Sequence, residues 1–527
     1  MQQQIDSGLN NLGFKRPGGD ITTILNLTDR DSQDGYFFPL SGIPASRPTA
    51  PSPQVHVGDN NSIPTSWFFR GSEEATIRRT QILSTNIQEI TQRGPASWGQ
   101  RCTFEIGNMS IGDLLTNTVL QIRLGHWLPL NIISQLQRGA ATYDPSGAIY
   151  TYGVSIGTSI IAYAEFEVAD KTIERIPGEY IRAYLNLLND QDTQFGIATD
   201  AVAVAPVTPY STTGMFNPNR PWPTENGIIF CPLSFFFTRN LKQAFPILST
   251  ARNTVRIHIE FRPFNECIRS FSGFRSSCQE GPLGLEVQFL TDSGPVTVTT
   301  TTQPPDFQDC RLLVSTALCD GGIRSAYLRS PFEQMTDIVQ WFHFDEPQKY
   351  IASKSLAAAD QIEIQLPLEL NNPLKEIFWF FRRKAVQINN EWGNFRPYVE
   401  SDPQVVYPPW LVHGVLRFNG LEVISAEGDF FRHQICRRHE GGYAAWALQM
   451  YGYSFSRVPE DYQPNGTANA SRCNTITLNL RVRVPKPCSA ASTWAADVSQ
   501  GWEVFVFAHG LNWLRFENGL CSPLFNS

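Results

Sequence analysis

Three short patterns in this chain hold residues whose types and spacing could do chemistry. Gly153-Val154-Ser155-Ile156-Gly157 fits G-x-S-x-G, which presents a serine nucleophile on a sharp turn between a strand and a helix. His433, Cys436 and His439 form an H-x2-C-x2-H run, three side chains able to ligate zinc. His439-Glu440 opens like the metalloprotease H-E-x-x-H. None survives weighing. The residues after Ser155 lead into Glu165–Val168, which has strand character, so no helix backs the serine. The zinc-type run lacks a fourth ligand at a suitable spacing, and Arg432, Arg437 and Arg438 among its members oppose a cation, which leaves a solvated loop as the default. Gly441, Gly442 and Tyr443 follow His439-Glu440, so the second histidine is missing. There is no Walker A loop, and the dispersed acidic residues give no positive support for a glycosidase pair. Sequons at Asn26, Asn60, Asn108, Asn465 and Asn469 mean little without a secretory signal. The expectation is no catalytic, cofactor-binding or metal-ligating residue, no cofactor, and no enzyme activity.

The elements that would position any site are β-strands. Among 527 residues only 17% are charged, below the roughly 25% of an average soluble protein. Phe 35 and Trp 12 stand against Met 5, and Gly 38 with Pro 36 supply turns, so helix formers are scarce and an all-β chain with long loops is expected. The net charge of −7 comes without a basic run, which argues against a sequence-independent grip on nucleic acid. Eight lysines against 34 arginines suit buried polar interfaces, because arginine's planar fork holds carboxylates in two places; a GC-rich genome would produce the same bias. Ten scattered cysteines without a CxxC, and an N-terminus without basic and apolar signal regions, lead to the expectation of reduced thiols in cytosol. The uncharged stretches 145–164 and 201–219 are broken by Gly and Pro and are not apolar enough to span a bilayer, so the chain is expected to be soluble.

Residues 1–66 lack sustained periodicity and are punctuated in their second part by Pro39, Pro44, Pro48, Pro51, Pro53 and Pro64, which leaves either a disordered tail or an extended arm that orders on a neighbour. From about residue 100 the alternation is of strand period. Val119–Leu124, Val255–Arg262, Ile362–Leu366 and Ile476–Arg483 each put apolar side chains on one face. Ile377–Phe381 and Val504–Phe507 are apolar on both faces, as in fully buried strands. Gly178–Leu188 is the best helix candidate, with Tyr180, Tyr184 and Leu188 on one stripe. Asn419-Gly420 between two apolar segments predicts a tight hairpin, and 382–412 a long surface loop.

The two halves echo each other. At a shift of 250 residues Val168 meets Phe418, Ile173 meets Val423, and Gly178, Glu179, Tyr180 and Arg182 meet Gly428, Asp429, Phe430 and Arg432. At a shift of 221, Asn253-Thr254 meets Asn474-Thr475. A duplicated β domain follows. The expected division is an arm at 1–66, a first unit at 67–305 and a second at 306–527.

Several segments resemble the major capsid proteins of nucleocytoplasmic large DNA viruses. Tyr453-Ser454-Phe455, Pro459-Glu460-Asp461-Tyr462-Gln463-Pro464-Asn465-Gly466-Thr467 and Asn469-Ala470-Ser471-Arg472 are similar to the family's YSF…PEE-QPSGT-N-SR pattern, with Asn465 for its usual Ser. Asn372–Trp379 resembles H-P-V-K-E-L-x-W with Asn372 for His, and Leu416–Gly420 resembles L-x-x-N-G. Gly112-Asp113-Leu114-Leu115 resembles GDLL; Cys231–Phe237 with Phe245-Pro246-Ile247 resembles VPLPFWF…LPLIAL; Leu511–Phe516 with Gly519 resembles the closing strand Y-N-x-L-R-I-x-x-G. The matches keep the family's order from about 100 to 525. Before residue 65 the chain departs from the short family N-terminus, with only Trp67-Phe68-Phe69 as a weak match.

The resemblance implies a fold of two consecutive eight-stranded jelly rolls, a double jelly roll, here with the N-terminal extended arm. It implies a structural major capsid protein forming homotrimeric, pseudo-hexameric capsomers that tile an icosahedral shell, with no enzyme activity and no cofactor. Implied partners are the chain itself, neighbouring capsomers, and minor capsid and penton proteins, with an internal membrane met indirectly and no direct nucleic acid. The implied location is the virion, after assembly in host cytoplasm. The competing readings are a minor capsid paralogue of the same fold and a β-sandwich glycan-binding protein. The second would more often bring a signal peptide, disulfides or calcium-binding acidic clusters.

Overall fold

The computed structural model describes residues 83–525 apart from 108–110, 144–148, 154–155, 189–226, 273–274, 277–281, 293, 320–323, 326, 329–330, 346–360, 385–389, 391, 394, 396–408, 440–448, 463 and 484–500. The expected arm at 1–66 and the Trp67-Phe68-Phe69 match lie outside the described residues.

The principal strands fall into two sets. The first comprises β1 (Leu83–Thr91), β2 (Arg101–Ile106), β3 (Leu114–Arg123), β4 (Ile161–Val168), β5 (Lys171–Pro177), β6 (Ile228–Pro232), β7 (Val255–Phe261) and β8 (Asp309–Cys319). They form two sheets, in the orders β1-β8-β3-β6 and β2-β7-β4-β5. The second set comprises β9 (Phe332–Phe344), β10 (Gln361–Leu368), β11 (Pro373–Arg383), β12 (Leu411–Phe418), β13 (Leu421–Glu427), β14 (Tyr451–Ser454), β15 (Ile476–Arg483) and β16 (Trp502–Glu517). Their sheets run β9-β16-β11-β14 and β10-β15-β12-β13. Adding eight to any label in the first set gives its counterpart in the second. Short strands extend these sheets at Phe245–Pro246, Ala468–Asn469 and Leu520–Pro523. Two antiparallel sheets wrapped in this non-sequential order, repeated along the chain, make a double jelly roll.

The repeat extends to irregularities. The first shift of the sequence echo carries β4, β5 and the helix after them onto β12, β13 and their helix: α1 (Gly178–Leu188) and α2 (Gly428–Arg438). The second carries the start of β7 onto that of β15. Both β4–β5 and β12–β13 contain a bulge, at Ile173 and at its echo Val423. Both helices begin on a glycine pressed against a carbonyl, Gly178 on Ile161 and Gly428 on Leu411, where a Cβ would collide. The Asn419-Gly420 hairpin is as the sequence predicts, with φ of 51° and 81°, and the Asn419 side chain accepts from the amides of Asn474 and Thr475 at 2.7 and 3.2 Å.

β8 lies past the expected division at 305/306. It nevertheless pairs with β1 from Thr91↔Arg311 to Leu83↔Cys319 and with β3 on its other side, so the first set of strands continues to Cys319. The physical reason is hydrogen bonding: without β8 the facing edges of β1 and β3 would be unpaired. Asp113 of the GDLL segment is buried and accepts the Cys319 amide at 2.8 Å, which fixes the end of that strand.

Period-two patterning separates the cores. Ile364, Leu366, Leu416, Leu478 and Leu480 face Ile377, Trp379, Phe381, Val504 and Val506 inside the second half. On the same strands, Phe378, Phe380, Phe505 and Phe507 point the other way and join the core of the first half. The strands that are apolar on both faces are therefore a shared wall, one face in each core.

Candidate functional site at the junction of the two halves

The wall formed by β9, β16 and β11 meets α1 and the Phe235–Gln243 segment of the first half. Tyr180 on α1 sets its ring at a tilt to Phe507 and Phe378, with centroids 5.4 and 6.2 Å away. Nearby lies a set of buried polar groups that no single motif announces. The Tyr180 hydroxyl is 2.8 Å from His509 Nε2. His509 Nδ1 lies 2.8 Å from Glu376 Oε1, and Glu376 Oε2 is 2.8 Å from His439 Nε2. His439 Nδ1 in turn contacts Glu460 Oε1 at 2.7 Å. Burial alone would raise the Glu376 carboxyl and lower His439. Their mutual attraction and hydrogen bonding outweigh it, so Glu376 is held well below the usual carboxylate range and His439 is pushed up to about 10. His439 is thus cationic and Glu376 anionic. His509 goes the other way: burial lowers it, and Arg239 adds to that against the pull of Glu376, which keeps the ring neutral.

Two further ion clusters flank this chain. Glu174 accepts from Arg239 Nη2 at 2.7 Å, the Phe236 amide at 2.9 Å and the Val339 amide at 3.3 Å, and Arg239 also donates to the Asp337 carbonyl at 2.6 Å. Burial raises the Glu174 carboxyl, and the Arg239 guanidinium and the Phe236 and Val339 amides offset that only in part; burial also works against Arg239's charge, and the Glu174 carboxylate overcomes it and holds Arg239 above its ordinary value. On the other flank Glu179 accepts from Arg262 at 2.6 Å and Arg382 at 3.1 Å, and Arg382 Nε also meets Glu503 at 2.5 Å. Despite its burial, Glu179 is lowered to about 2 by these two guanidinium groups. Lys375, fully buried, donates to Asp337 Oδ2 at 2.9 Å and to the Asp461 carbonyl at 2.8 Å. Removing a charged member would leave a buried partner less compensated, so the network favours one register between the halves.

The chemistry-bearing patterns from the sequence are dispersed. Ser155 lies outside the described residues; Ile156–Ser159 is a single helical turn that gives way to β4. His433 is exposed on α2, whereas His439 is buried with both ring nitrogens occupied by Glu376 and Glu460, so the H-x2-C-x2-H run is not gathered around a point. The Cys436 side chain lies outside the described set. The solvated loop expected for this run is instead the helix α2 and its C-cap. Among the described residues His343, Asp345 and Glu503 bring ligand-type atoms within 4.8 Å of one another, but Arg382 and Lys384 already pair with the two carboxylates. The stretch 382–412, expected at the surface, lies mostly outside the described residues. Its described members Asn390 and Phe395 are buried, and Asn390 donates to the Asn265 and Ile268 carbonyls at 2.6 Å. No described helix is long and apolar enough to cross a membrane.

What the motifs do hold is the junction. Asn372–Trp379 supplies Lys375 and Glu376; Pro459–Thr467 supplies Glu460 and Asp461; Leu511–Phe516 continues the strand that carries His509. Two like-ordered jelly rolls fused through a common wall, without a converged reactive site among the described residues, define the double jelly-roll structural class. Residues 346–522 match the family model of the large eukaryotic DNA virus major capsid protein, and residues 73–283 match that of the major capsid protein N-terminus. The chain belongs to this family of major capsid proteins of large eukaryotic DNA viruses. It is 21% identical over 322 residues to Capsid protein 1 of Acanthamoeba polyphaga mimivirus, across 61% of this chain and 46% of that protein. It is 22% identical over 335 residues to the Major capsid protein of Chrysochromulina ericina virus, across 58% of this chain and 52% of that one. The match thus spans about half the length of these curated relatives. The fold is shared with PBCV-1 VP54, at a TM-score of 0.56 and 17% identity, covering 85% of this chain and 98% of that one.

Proposed function

We propose that this chain is a structural subunit of a virion shell, in which three copies associate as a capsomer with pseudo-hexagonal outline and capsomers tile an icosahedron. The observation that carries this reading is the repeated strand order with a wall that serves both cores, because two equivalent units fixed side by side are two sixths of a six-unit ring. Family membership supports the shell role. The subunit's work is packing, so it needs no catalytic, metal or cofactor site. Its partners are further copies of itself, neighbouring capsomers, and minor capsid and penton proteins, with an internal membrane met only indirectly and the genome not touched; assembly takes place in host cytoplasm. The units divide as an arm at 1–66, a first jelly roll running through β8 to Cys319, and a second from β9 onward.

Native mass spectrometry of the purified chain tests the reading. A species of three times 59.2 kDa is expected. A chain that stays at 59.2 kDa at every concentration would refute the trimer.

A further inference from the structure

The internal repeat gives each half two docking faces, and among the described residues only one pair of them is used within the chain. The used pair is the outer face of α1, in the first half, against the outer face of the β9-β16-β11 wall, in the second. The unused pair is the outer face of α2 and the outer face of the β1-β8-β3 sheet.

A shared bulge fixes the residue correspondence between the two sheets. In the first, Asn117 faces Ser315 and Leu115 faces Thr316, skipping Thr116. In the second, Glu376 faces His509 and Leu374 faces Gly510, skipping Lys375. Counting along the strands, Phe378 corresponds to Val119, Phe507 to Leu313, Arg382 to Arg123 and Glu503 to Asp309. The last two correspond as a pair, since Arg382 lies opposite Glu503 and Arg123 opposite Asp309. On the helices Glu179 corresponds to Asp429 and Tyr180 to Phe430.

Within the chain Glu179 bonds Arg382, and Tyr180 covers Phe507 and Phe378. Both unused counterparts keep the same character in an open setting. Asp429 leaves 81% of its side chain exposed, touching only Arg432 at 3.4 Å among its described ion pairs. Phe430 is 37% exposed, whereas Tyr180 is fully buried. On the sheet Arg123 is exposed, Leu313 is half-buried, and Ile87, opposite Ser315 on the same face, is 68% exposed, whereas Val119 is already buried. An acid beside an aromatic ring on one face matches an arginine beside aliphatic groups on the other.

We propose that the outer face of α2 docks on the outer face of β1, β8 and β3 of a second copy of this chain, with Asp429 of one copy meeting Arg123 of the other and Phe430 covering Leu313. The contact is head-to-tail, so every copy offers one face of each kind and a ring can close. It rests on the shell-subunit reading only for closure at three copies. His433 and Arg437 stand on α2 where α1 has Ala183 and Leu187, so this junction is more polar than the one inside the chain, as suits a contact made after folding.

The test uses the full chain and native mass spectrometry across a dilution series, with circular dichroism to check folding. Asp429→Arg and Arg123→Asp each raise the concentration of half-dissociation at least about tenfold, and the double reversal returns it close to wild type. Independently, Phe430→Cys combined with Leu313→Cys yields a disulfide-linked oligomer under oxidising conditions. A wild-type trimer whose stability neither reversal moves, or a folded trimeric cysteine pair that does not cross-link, overturns this docking mode while leaving the trimer intact. A wild-type chain that is monomeric throughout overturns the docking and the trimer together.

Discussion

Replacing Glu376 with Gln keeps the shape of the side chain and removes the charge that faces His439. In the folded protein His439 moves from 6.5 to about 10, and a tenfold change in proton affinity is worth about 1.4 kcal/mol. The corresponding upper limit is roughly 5 kcal/mol, and Glu460, on the solvent side of His439, compensates part of it. A loss of about 3–5 kcal/mol near pH 6 is expected, the range for breaking a buried pair. The effect depends on pH in a defined direction. The folded-state affinity of His439 for its proton is raised, so its contribution is fully present below about 6.5 and fades as pH rises through about 10. Glu376 is lowered, so its contribution is present above the ordinary value of 4.5 and is lost as pH falls. The stability difference between wild type and Glu376→Gln therefore peaks between about 4.5 and 6.5 and shrinks on both sides. Urea unfolding of both proteins from pH 4 to pH 10 measures it. A difference below about 1 kcal/mol near pH 6, or one that grows toward pH 10, would show that the pair is not the charged pair described above.

Lys375→Met strands the Asp337 carboxylate beneath the junction and is expected to cost about 3–5 kcal/mol in urea unfolding; full stability would show that Asp337 finds another cation. Gly112→Ala forces a Cβ into the Thr316 side chain at a φ of +154°, and a drop of about 2–4 kcal/mol in the same assay is expected, partly relieved by the added substitution Thr316→Ala. Phe378→Ala empties a place in the wall and should cost about 3–5 kcal/mol. It should also speed hydrogen exchange in α1 more than in β15, since Phe378 faces the first half's core; equal acceleration in both would contradict the two-faced wall.

Much of this architecture is legible in the amino acids because its signals are local. Alternation over Val255–Phe261 and Ile476–Arg483 marks β7 and β15, Asn419-Gly420 marks its hairpin, and the stripe at Tyr180 and Tyr184 marks α1. The repeat is legible too, since its echo falls where the backbone is most constrained: at bulges and at helix-starting glycines. The junction is not. Glu376, His439, Glu460 and His509 come from four separate stretches, and nothing in their spacing distinguishes them from solvated charges. One clue was available. The run Ile377–Phe381 is apolar at every position, and a strand buried on both faces needs a second neighbour. That β8 lies past the expected division at 305/306 has a similar cause, since the strands it pairs with are nearly 200 residues away or more.

The wall between the halves also has a kinetic meaning. Two separate jelly-roll chains would have to meet by diffusion, and their association would weaken on dilution. Joined on one polypeptide, the pair forms at an effective concentration set by the linker, on the order of millimolar for short connections. This chain therefore makes the junction that holds its buried ion network in a step that dilution cannot reverse. In the proposed ring of six such units, three chains then need two association events where six separate jelly rolls would need five, and no partial ring contains an odd number of jelly rolls.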